Sequence, residues 1–456
     1  MLNRRRFVQS LIAAAACPAI TASCRADDFK RVALQPDPQQ LLDLPDGFSY
    51  DIVSRAGDVM SDGLMVPHAH DGMAAFPGED GRVILICNHE MDSGYPEYSA
   101  FGTTFASQPE SVKARVYDLG GGVTPGAGGT TTTVYNPATR KPERQHLSLA
   151  GTEINCSGGS TPWGSWLSCE ESFESPGSAF GFGRKIIRDQ AHGYVFEVPA
   201  SETGLAEPIA LKAMGRFEHE AAAVHESSGI VYLTEDRYHS LFYRFMPETP
   251  GVLQDGGRLQ ALAIDGQPSM NTHNWSNARD MEIGDALPTR WLDLDDVNPI
   301  ENNLRLRGAA MGAATFARGE GMCVADDVFF FTCTIGGPDR LGQVFQYQPS
   351  PQEGQDNEQD EPGQLTLIAE ATTDSLLRNG DNLTMAPWGD LILCEDTADH
   401  CGLVGIRPDG TQYAIADNAY SNSELAGVCF SPDGETLFVN IQYPGTTLAI
   451  TGPWPS

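Results

Sequence analysis

Six short stretches of the sequence begin with side chains that could bind metal ions. These polar starts are His70-Asp71, Asn155-Cys156, His219-Glu220, Arg318-Gly319-Glu320, Asp381-Asn382 and Glu424. Oxygen-rich sites suit calcium, and a thiolate beside carboxylates suits a transition metal such as iron or zinc. If the fold brings the six starts together, their carboxylates repel one another and bound cations are the usual remedy. The alternative is that these acids and amides only satisfy backbone groups at the ends of strands.

A second set of acids stands at the ends of the apolar runs that follow the polar starts. Its members are Glu90, Glu170, Glu171, Glu235, Asp236, Glu395 and Asp396. We expect one or two of them to reach metal ions and the others to tie loops. Glu171 is the first candidate, because the sequence block around it is distinctive in itself.

The apolar runs share one shape: a turn that usually ends in Gly leads into a short strand that finishes in polar or acidic residues. The copies span 81–90, 164–171, 229–236, 327–334, 389–396 and 434–442. Repeats of this kind are typical of propellers and solenoids. Six copies predict an all-β fold, a six-bladed β-propeller with long loop insertions, in which the polar starts converge on one channel. A pair of β-sandwiches and a seven-bladed ring explain the count less well.

The last copy leaves too few residues for a full blade. The segment 48–54 could supply the missing strand and close the ring, which removes exposed sheet edges. We therefore predict a single propeller domain over residues 45–456, preceded by an N-terminal linker over 27–44. The polar, turn-rich stretches 250–315 and 350–375 are predicted to be loop insertions.

The first 26 residues have the pattern of an export signal. Residues 4–6 are three arginines, an apolar stretch covers 11–20, and residues 24–26 could contain the cleavage site. Residues 1–26 are therefore predicted to be a twin-arginine signal peptide, recognised by the twin-arginine translocon, with a periplasmic or extracellular destination. Cys24 could instead carry a lipid. Outside this region we predict no transmembrane segment, because no stretch is apolar enough.

Charge and cysteine content exclude some classes of function. The formal net charge is −32, which argues against nucleic acid as a partner, because a phosphate backbone requires a basic footprint. None of the ten cysteines belongs to a CxxC pair, so a zinc ribbon is excluded. Cys394 and Cys401 flank a turn and could form a disulfide after export. We expect a monomer.

The block NCSGGSTPWGSWLSCEE (155–171) resembles the signature of the PhoX-type alkaline phosphatases, which are secreted bacterial enzymes. Further matching stretches are NHEM (88–91), GRFEHEAA (215–222), YLTEDR (232–237), ARGEGM (317–322), DNLTMAPWGDLILCED (381–396) and LAGVCFSPDGETLFVNIQYPG (425–445). The resemblance spans nearly the whole chain after the export signal. It implies a six-bladed propeller with a mixed iron–calcium centre, Fe³⁺ and Ca²⁺, in its channel.

The resemblance also implies roles for individual residues. Cys156 resembles the thiolate ligand of iron, and Glu171 and Glu220 resemble carboxylate ligands of the cluster. Glu320 resembles a ligand of calcium or iron. Arg318 resembles the group that binds the phosphoryl oxygens, for which a guanidinium offers a two-pronged donor.

Two later acids, Glu395 and Asp396, are implied to complete the calcium shells. The resemblance makes Arg318, Cys156 and Glu220 the catalytic set of a metal-dependent phosphomonoesterase that releases inorganic phosphate from small-molecule phosphate esters. Multivalent cations suit this reaction because they offset the negative charge of the substrate phosphate.

Two other functions remain open at this point. A calcium-dependent lactonase on a similar propeller would need acid and amide ligands but would have no use for Cys156 or Arg318. A non-catalytic, metal-stabilised propeller that binds a partner predicts metal content without turnover. Metal analysis combined with a phosphatase assay separates the three.

Overall fold

The computed structural model describes residues 33–275 and 279–455, and their fold is almost entirely β. The predicted export signal and Cys24 lie outside the described residues. In the part of the chain that is described, the α-helices are short: α1 (Glu110–Lys113) and α2 (Leu304–Met311). No helix of this part is both long and apolar enough to cross a membrane.

Short runs of β-branched and aromatic residues between turns form the strands, as the sequence pattern predicts. The strands are β1 (Leu42–Asp43), β2 (Ser49–Arg55), β3 (His70–Pro77), β4 (Val83–His89), β5 (Gly128–Asn136), β6 (Lys141–Thr152), β7 (Asn155–Ser160), β8 (Ser165–Glu170), β9 (Gly177–Gly181), β10 (Arg184–Arg188), β11 (Val195–Pro199), β12 (His219–Val224), β13 (Val231–Glu235), β14 (Tyr238–Ser240), β15 (Tyr243–Pro247), β16 (Gly257–Ile264), β17 (Ala286–Asp293), β18 (Phe316–Ala317), β19 (Gly319–Ala325), β20 (Val328–Cys333), β21 (Gln343–Gln348), β22 (Gln364–Glu370), β23 (Gly380–Met385), β24 (Leu391–Glu395), β25 (Gly402–Ile406), β26 (Gln412–Asn418), β27 (Leu425–Phe430), β28 (Leu437–Ile441) and β29 (Thr446–Thr451).

These strands pair into antiparallel sheets of mostly consecutive strands. Four of the sheets have the orders β3-β4-β5-β6, β7-β8-β11, β23-β24-β25-β26-β1 and β27-β28-β29-β2. A nine-stranded sheet runs from β12 through β13, β15, β16, β17, β22, β21 and β20 to β19. Two small ribbons, β9-β10 and β14-β18, lie in the loops.

Six inner strands form a closed ring at the centre of the molecule. β3 contacts β7, β7 contacts β12, β12 contacts β19, β19 contacts β23, β23 contacts β27, and β27 returns to β3. Each of the four sheets of three to five strands contributes one inner strand, and the nine-stranded sheet contributes both of its end strands. This confirms the predicted all-β, propeller-like architecture. Buried aromatic and aliphatic side chains fill the space between neighbouring sheets.

Small residues allow the inner strands to approach one another closely. A Cβ atom added to Gly72 would lie 2.5 Å from the Cα of Ser157, and one added to Gly159 would lie 1.8 Å from the carbonyl oxygen of Ala222. Real Cβ atoms do not tolerate such contacts, so larger residues at these positions would force the ring apart.

The strands near the two ends of the described chain pair largely as the sequence predicts. Segment 48–54 lies in β2 except for its first residue, and β2 pairs with β29 and so completes the last sheet. Part of the predicted linker is ordered into β1, which pairs with β26, because Leu42 and Leu44 are buried against the sheet. The stretch 250–315 is not only loop, since it contains β16, β17 and α2.

Candidate metal centre

The inner strands present their polar residues through a shared irregularity. Each inner strand shifts register against its neighbour near its start. Five of these shifts are spanned by a donor residue followed by a small or amide one: Asp71-Gly72, Cys156-Ser157, Glu220-Ala221, Glu320-Gly321 and Asp381-Asn382. A bulge of this kind re-aims side chains near a strand end. The sixth strand carries Gly427 and Val428 at its shift, and Glu424 stands just before this strand.

The fold brings these donors together with acids from the strands that follow. Three groups have ligand atoms that all lie within 4.8 Å of one another: Cys156, Glu171 and Glu220; Glu220, Glu320 and Asp381; and Asp71, Glu90 and Glu424. Glu220 belongs to two of the groups, so these two are continuous. We call the three groups together the donor cluster.

The electrostatics of the donor cluster are those of a site that requires positive charge. Burial, and then the charges of Glu320 and Asp381, raises the pKa of Glu220 well above its usual range. Burial followed by the charge of Glu220 does the same to the pKa of the Cys156 thiol. Burial also raises the pKa of Glu90 to about 7. So many buried acids cannot all ionise without a counter-charge, and the mixed thiol and carboxylate donors fit metal cations.

Among the described residues, Arg318 is the cation that lies closest to these acids. Its Nε and Nη2 donate to the two carboxylate oxygens of Asp236 at 2.6 and 2.5 Å, and Nη2 lies 3.2 Å from Oε1 of Glu320. The hydrogen bonds to Asp236 raise the pKa of Arg318, so it stays charged. Its side chain remains 32% exposed. Arg318 therefore faces the donor cluster on one side and solvent on the other.

The structure separates the two acids predicted to complete the calcium shells. The carboxylate of Glu395 accepts hydrogen bonds from the backbone N–H groups of Arg378 and Gly402, at 2.9 and 3.1 Å. It belongs to none of the three groups and ties a loop instead. Asp396 borders the donor cluster, because its charge raises the pKa of Asp381 after burial does.

Sequence reasoning did not assign four acids of the cluster as ligands. Asp71, Asp381 and Glu424 were recognised only as polar starts, and Glu90 only as a strand end. Their position in the repeat could have identified two of them as ligands, because Asp71 and Asp381 occupy the same place at their bulges as Cys156 does.

A buried polar network supports the segment that carries Cys156 and Glu171. Nδ1 of His192 lies 2.7 Å from Glu170, and Nε2 lies 3.1 Å from Asp118. Burial opposes the charge on His192, but the two carboxylates prevail and raise its pKa to about 10. Glu170 also accepts from the backbone N–H of Glu153, two residues before β7. The network thus connects the end of β8 to the start of β7.

A cavity of about 1130 Å³ occupies the part of the channel that extends from the donor cluster toward the other end of the inner strands. Its lining includes Ser157, Asn382 and Gly427, next to the donors, and reaches Asp326 and Asp433 in the turns at the other end of the inner strands. Arg318 does not line it. The Arg318 guanidinium therefore belongs to the opposite mouth of the channel, which we call the Arg318 mouth.

Comparison with known proteins gives one family match. The family model described as alkaline phosphatase PhoX matches residues 29–445. No curated protein matches the chain significantly.

Solved structures are similar to the chain at low sequence identity. A structure of PhoX from Pseudomonas fluorescens in complex with vanadate, a transition state analogue, has a TM-score of 0.65 and 18% identity, over 93% of this chain and 97% of that chain. A putative gluconolactonase has a TM-score of 0.42 and 11% identity, over 92% and 97%. A Xanthomonas campestris gluconolactonase has a TM-score of 0.39 and 11% identity, over 90% and 97%.

Proposed function

The chain belongs to the PhoX family of alkaline phosphatases and is a phosphate-ester hydrolase, and from that premise we propose that it is an exported phosphomonoesterase with an iron–calcium cluster in its channel. The observation that carries the proposal is the donor cluster, in which a buried thiol and seven carboxylates meet beside one charged guanidinium.

The donor chemistry divides the cluster between two kinds of metal. Cys156, Glu171 and Glu220 would hold iron, because a thiolate favours a transition metal over calcium. The all-carboxylate groups would hold calcium, which prefers oxygen ligands. When bound, the cations would neutralise charge on the phosphate oxygens and lower the pKa of a coordinated water.

Arg318 would bind the phosphoryl group from the solvent side. Asp236 holds its Nε and Nη2, so the guanidinium is oriented before substrate arrives. Such pre-orientation lowers the entropic cost of binding and of reaching the transition state. The alcohol portion of the ester would then point out through the Arg318 mouth, where the product leaves.

The fold supports a finer description as well. We count six blades, because six inner strands close the ring and the nine-stranded sheet supplies two of them. On this count residues 45–456 are a single propeller domain, and β17 joins two neighbouring blades at their outer edges. The export signal at 1–26, a periplasmic or extracellular location and a monomeric state belong to the same proposal. Cys394 and Cys401 carry free thiols in this structure.

A calcium-dependent lactonase is the weaker candidate. It has no use for a buried thiol or for a guanidinium at the metal site. Cys156 and Arg318 both lie at the donor cluster, which favours the phosphatase.

Metal analysis with a phosphatase assay tests the proposal. The exported protein is purified, its iron and calcium are measured, and hydrolysis of p-nitrophenyl phosphate is followed with and without a chelator. We expect both metals and chelator-sensitive turnover. Iron absent and no turnover in the metal-supplemented protein would overturn the proposal.

A matched pair of cysteine variants sharpens the experiment. Cys156 and Cys169 are both buried and lie on the adjacent strands β7 and β8. We expect Cys156→Ala to lose iron and activity together, whereas Cys169→Ala keeps both. Equal iron content in the two variants would remove Cys156 from the iron site.

A further inference from the structure

Exposed and partly buried aromatic side chains form a patch next to Arg318. Tyr238 is 59% exposed, and its ring centroid lies 6.2 Å from that of Trp275. The ring of His239 lies 5.3 Å from Trp275, and the guanidinium of Arg340 lies 4.6 Å from the Trp275 ring centroid. We call Tyr238, His239, Trp275 and Arg340 the aromatic rim.

One β-ribbon connects the aromatic rim to Arg318. Tyr238 in β14 is opposite Ala317 in β18, the residue immediately before Arg318. The N–H of Arg318 donates to the carbonyl of Arg237 at 3.2 Å. Tyr238 also follows Asp236 by two residues, which is about 7 Å along an extended chain. The backbone of Tyr238 therefore lies close both to the backbone of Arg318 and to Asp236, which holds the Arg318 guanidinium.

A second set of contacts fixes Trp275. Its indole N–H donates to the carbonyl of Ile335 at 2.5 Å. The N–H of Thr334, the preceding residue, donates to the carbonyl of Arg318 at 3.1 Å. Trp275 and Arg318 are thus hydrogen-bonded to the adjacent residues Ile335 and Thr334. The aromatic rim therefore keeps a defined position relative to Arg318, the proposed phosphate-binding group.

We propose that the aromatic rim is a binding subsite for planar, π-bearing alcohol groups of phosphate esters, such as an aryl group or a nucleobase. This inference rests on the proposed function, which places the phosphoryl group at Arg318 and directs the alcohol portion out through the Arg318 mouth. An exposed aromatic ring offers a flat apolar face on which another planar group stacks. Arg340 holds the Trp275 ring through a cation–π contact, which limits the conformational entropy lost on binding.

Three substrates separate stacking from phosphate binding. p-Nitrophenyl phosphate and adenosine 5′-monophosphate carry planar groups, whereas glycerol 3-phosphate does not. In the metal-loaded enzyme we expect Tyr238→Ala to lower kcat/KM about tenfold for the two planar substrates, mainly through KM. kcat/KM for glycerol 3-phosphate and inhibition by inorganic phosphate should change less than twofold. Each variant is compared with the wild type on the same substrate, so intrinsic leaving-group reactivity cancels.

Matched variants guard against a merely structural effect. Tyr238→Phe keeps the ring and should retain wild-type values, and Trp275→Ala should repeat the selective loss. Trp163→Ala is the control, because Trp163 is an exposed tryptophan in the turn after β7, at the opposite end of the inner strands from Cys156. It should leave all three substrates unchanged.

The outcomes distinguish this inference from the proposed function. Selective loss with either planar substrate supports the subsite, and the substrate affected identifies an aryl group or a nucleobase as its occupant. Equal loss on all three substrates, or no loss in Tyr238→Ala and Trp275→Ala, overturns the subsite while leaving the phosphatase intact. A wild-type enzyme that hydrolyses none of the three overturns both.

Discussion

Removing the metal ions should invert the pH dependence of stability. In the metal-free protein, burial and the charge of Asp396 raise the pKa of Glu90 from 4.5 to about 7. Burial with the charges of Asp396 and Asp236 raises the pKa of Asp381 from 3.8 to about 8. Each carboxyl therefore keeps its proton to a higher pH when folded than when unfolded. The folded state binds more protons between these values, so its stability falls as the pH rises through them.

The size of the effect follows from the same values. For Glu90, a pKa moved from 4.5 to about 7 corresponds to about 3 kcal/mol of lost stability at alkaline pH. For a chain of 456 residues this is a Tm lower by roughly 3 °C, and the coupled acids of the donor cluster add to it. With cations bound the sign reverses, because acid protonates the ligands and releases the metals.

Thermal unfolding followed by circular dichroism measures both profiles. The protein is dialysed to remove metal and chelator, then melted between pH 5 and 9 beside the metal-loaded form. We expect the Tm of the metal-free form to fall across this range, and the Tm of the loaded form to fall only toward acid. Glu90→Gln should flatten the metal-free profile. A metal-free protein that becomes more stable from pH 5 to 8 would refute the reasoning.

Four substitutions, one of them a control, probe single interactions. Arg318→Lys should lower kcat/KM about 100-fold, because an ammonium cannot reproduce the two charge-assisted hydrogen bonds of a guanidinium to the phosphoryl group. Elemental analysis should show unchanged iron and calcium in this variant, and a loss of metal would contradict the role. Glu320→Gln should reduce bound calcium in the same analysis, whereas Glu395→Gln, which alters a loop contact, should not. His192→Gln should lower the free energy of unfolding by about 3–5 kcal/mol in denaturant titrations, because it removes the positive partner of two buried carboxylates. The pKa of His192 in the folded protein, about 10, exceeds its reference value of 6.5. His192 therefore stabilises the folded state fully below pH 6.5, and this stabilisation is lost as the pH rises through 10. A contribution to the free energy of unfolding that grows above pH 8 would contradict the assignment.

The sequence predicted the strands and their order well, because each apolar run is local and bounded by turns. It also identified β2 as the closing strand, since the last copy of the repeat is visibly incomplete. It did not predict β16, β17 or β22, because the insertions that contain them are polar and turn-rich as a whole, although each strand carries apolar residues.

The candidate site was predicted in part for a similar reason. Cys156, Glu171 and Glu220 stand in a distinctive block or a recurrent position, and the fold groups them. Glu395 and Asp396 are adjacent in sequence, yet only one of them borders the donor cluster, because successive side chains at a strand end point in different directions. Such a choice depends on tertiary geometry and cannot be derived from spacing.

The repeated register shift at the inner strands has a consequence for how this scaffold can diversify. Five of the eight donors stand at an irregularity, where they take no part in the regular pairing of their sheets: Asp71, Cys156, Glu220, Glu320 and Asp381. A substitution there alters the ligand and leaves the ladder on either side intact, as Gly427 and Val428 illustrate in the strand that has no donor at its shift. Metal preference can therefore evolve one blade at a time, largely uncoupled from the ability to fold. The same separation makes these positions natural targets for installing new coordination chemistry.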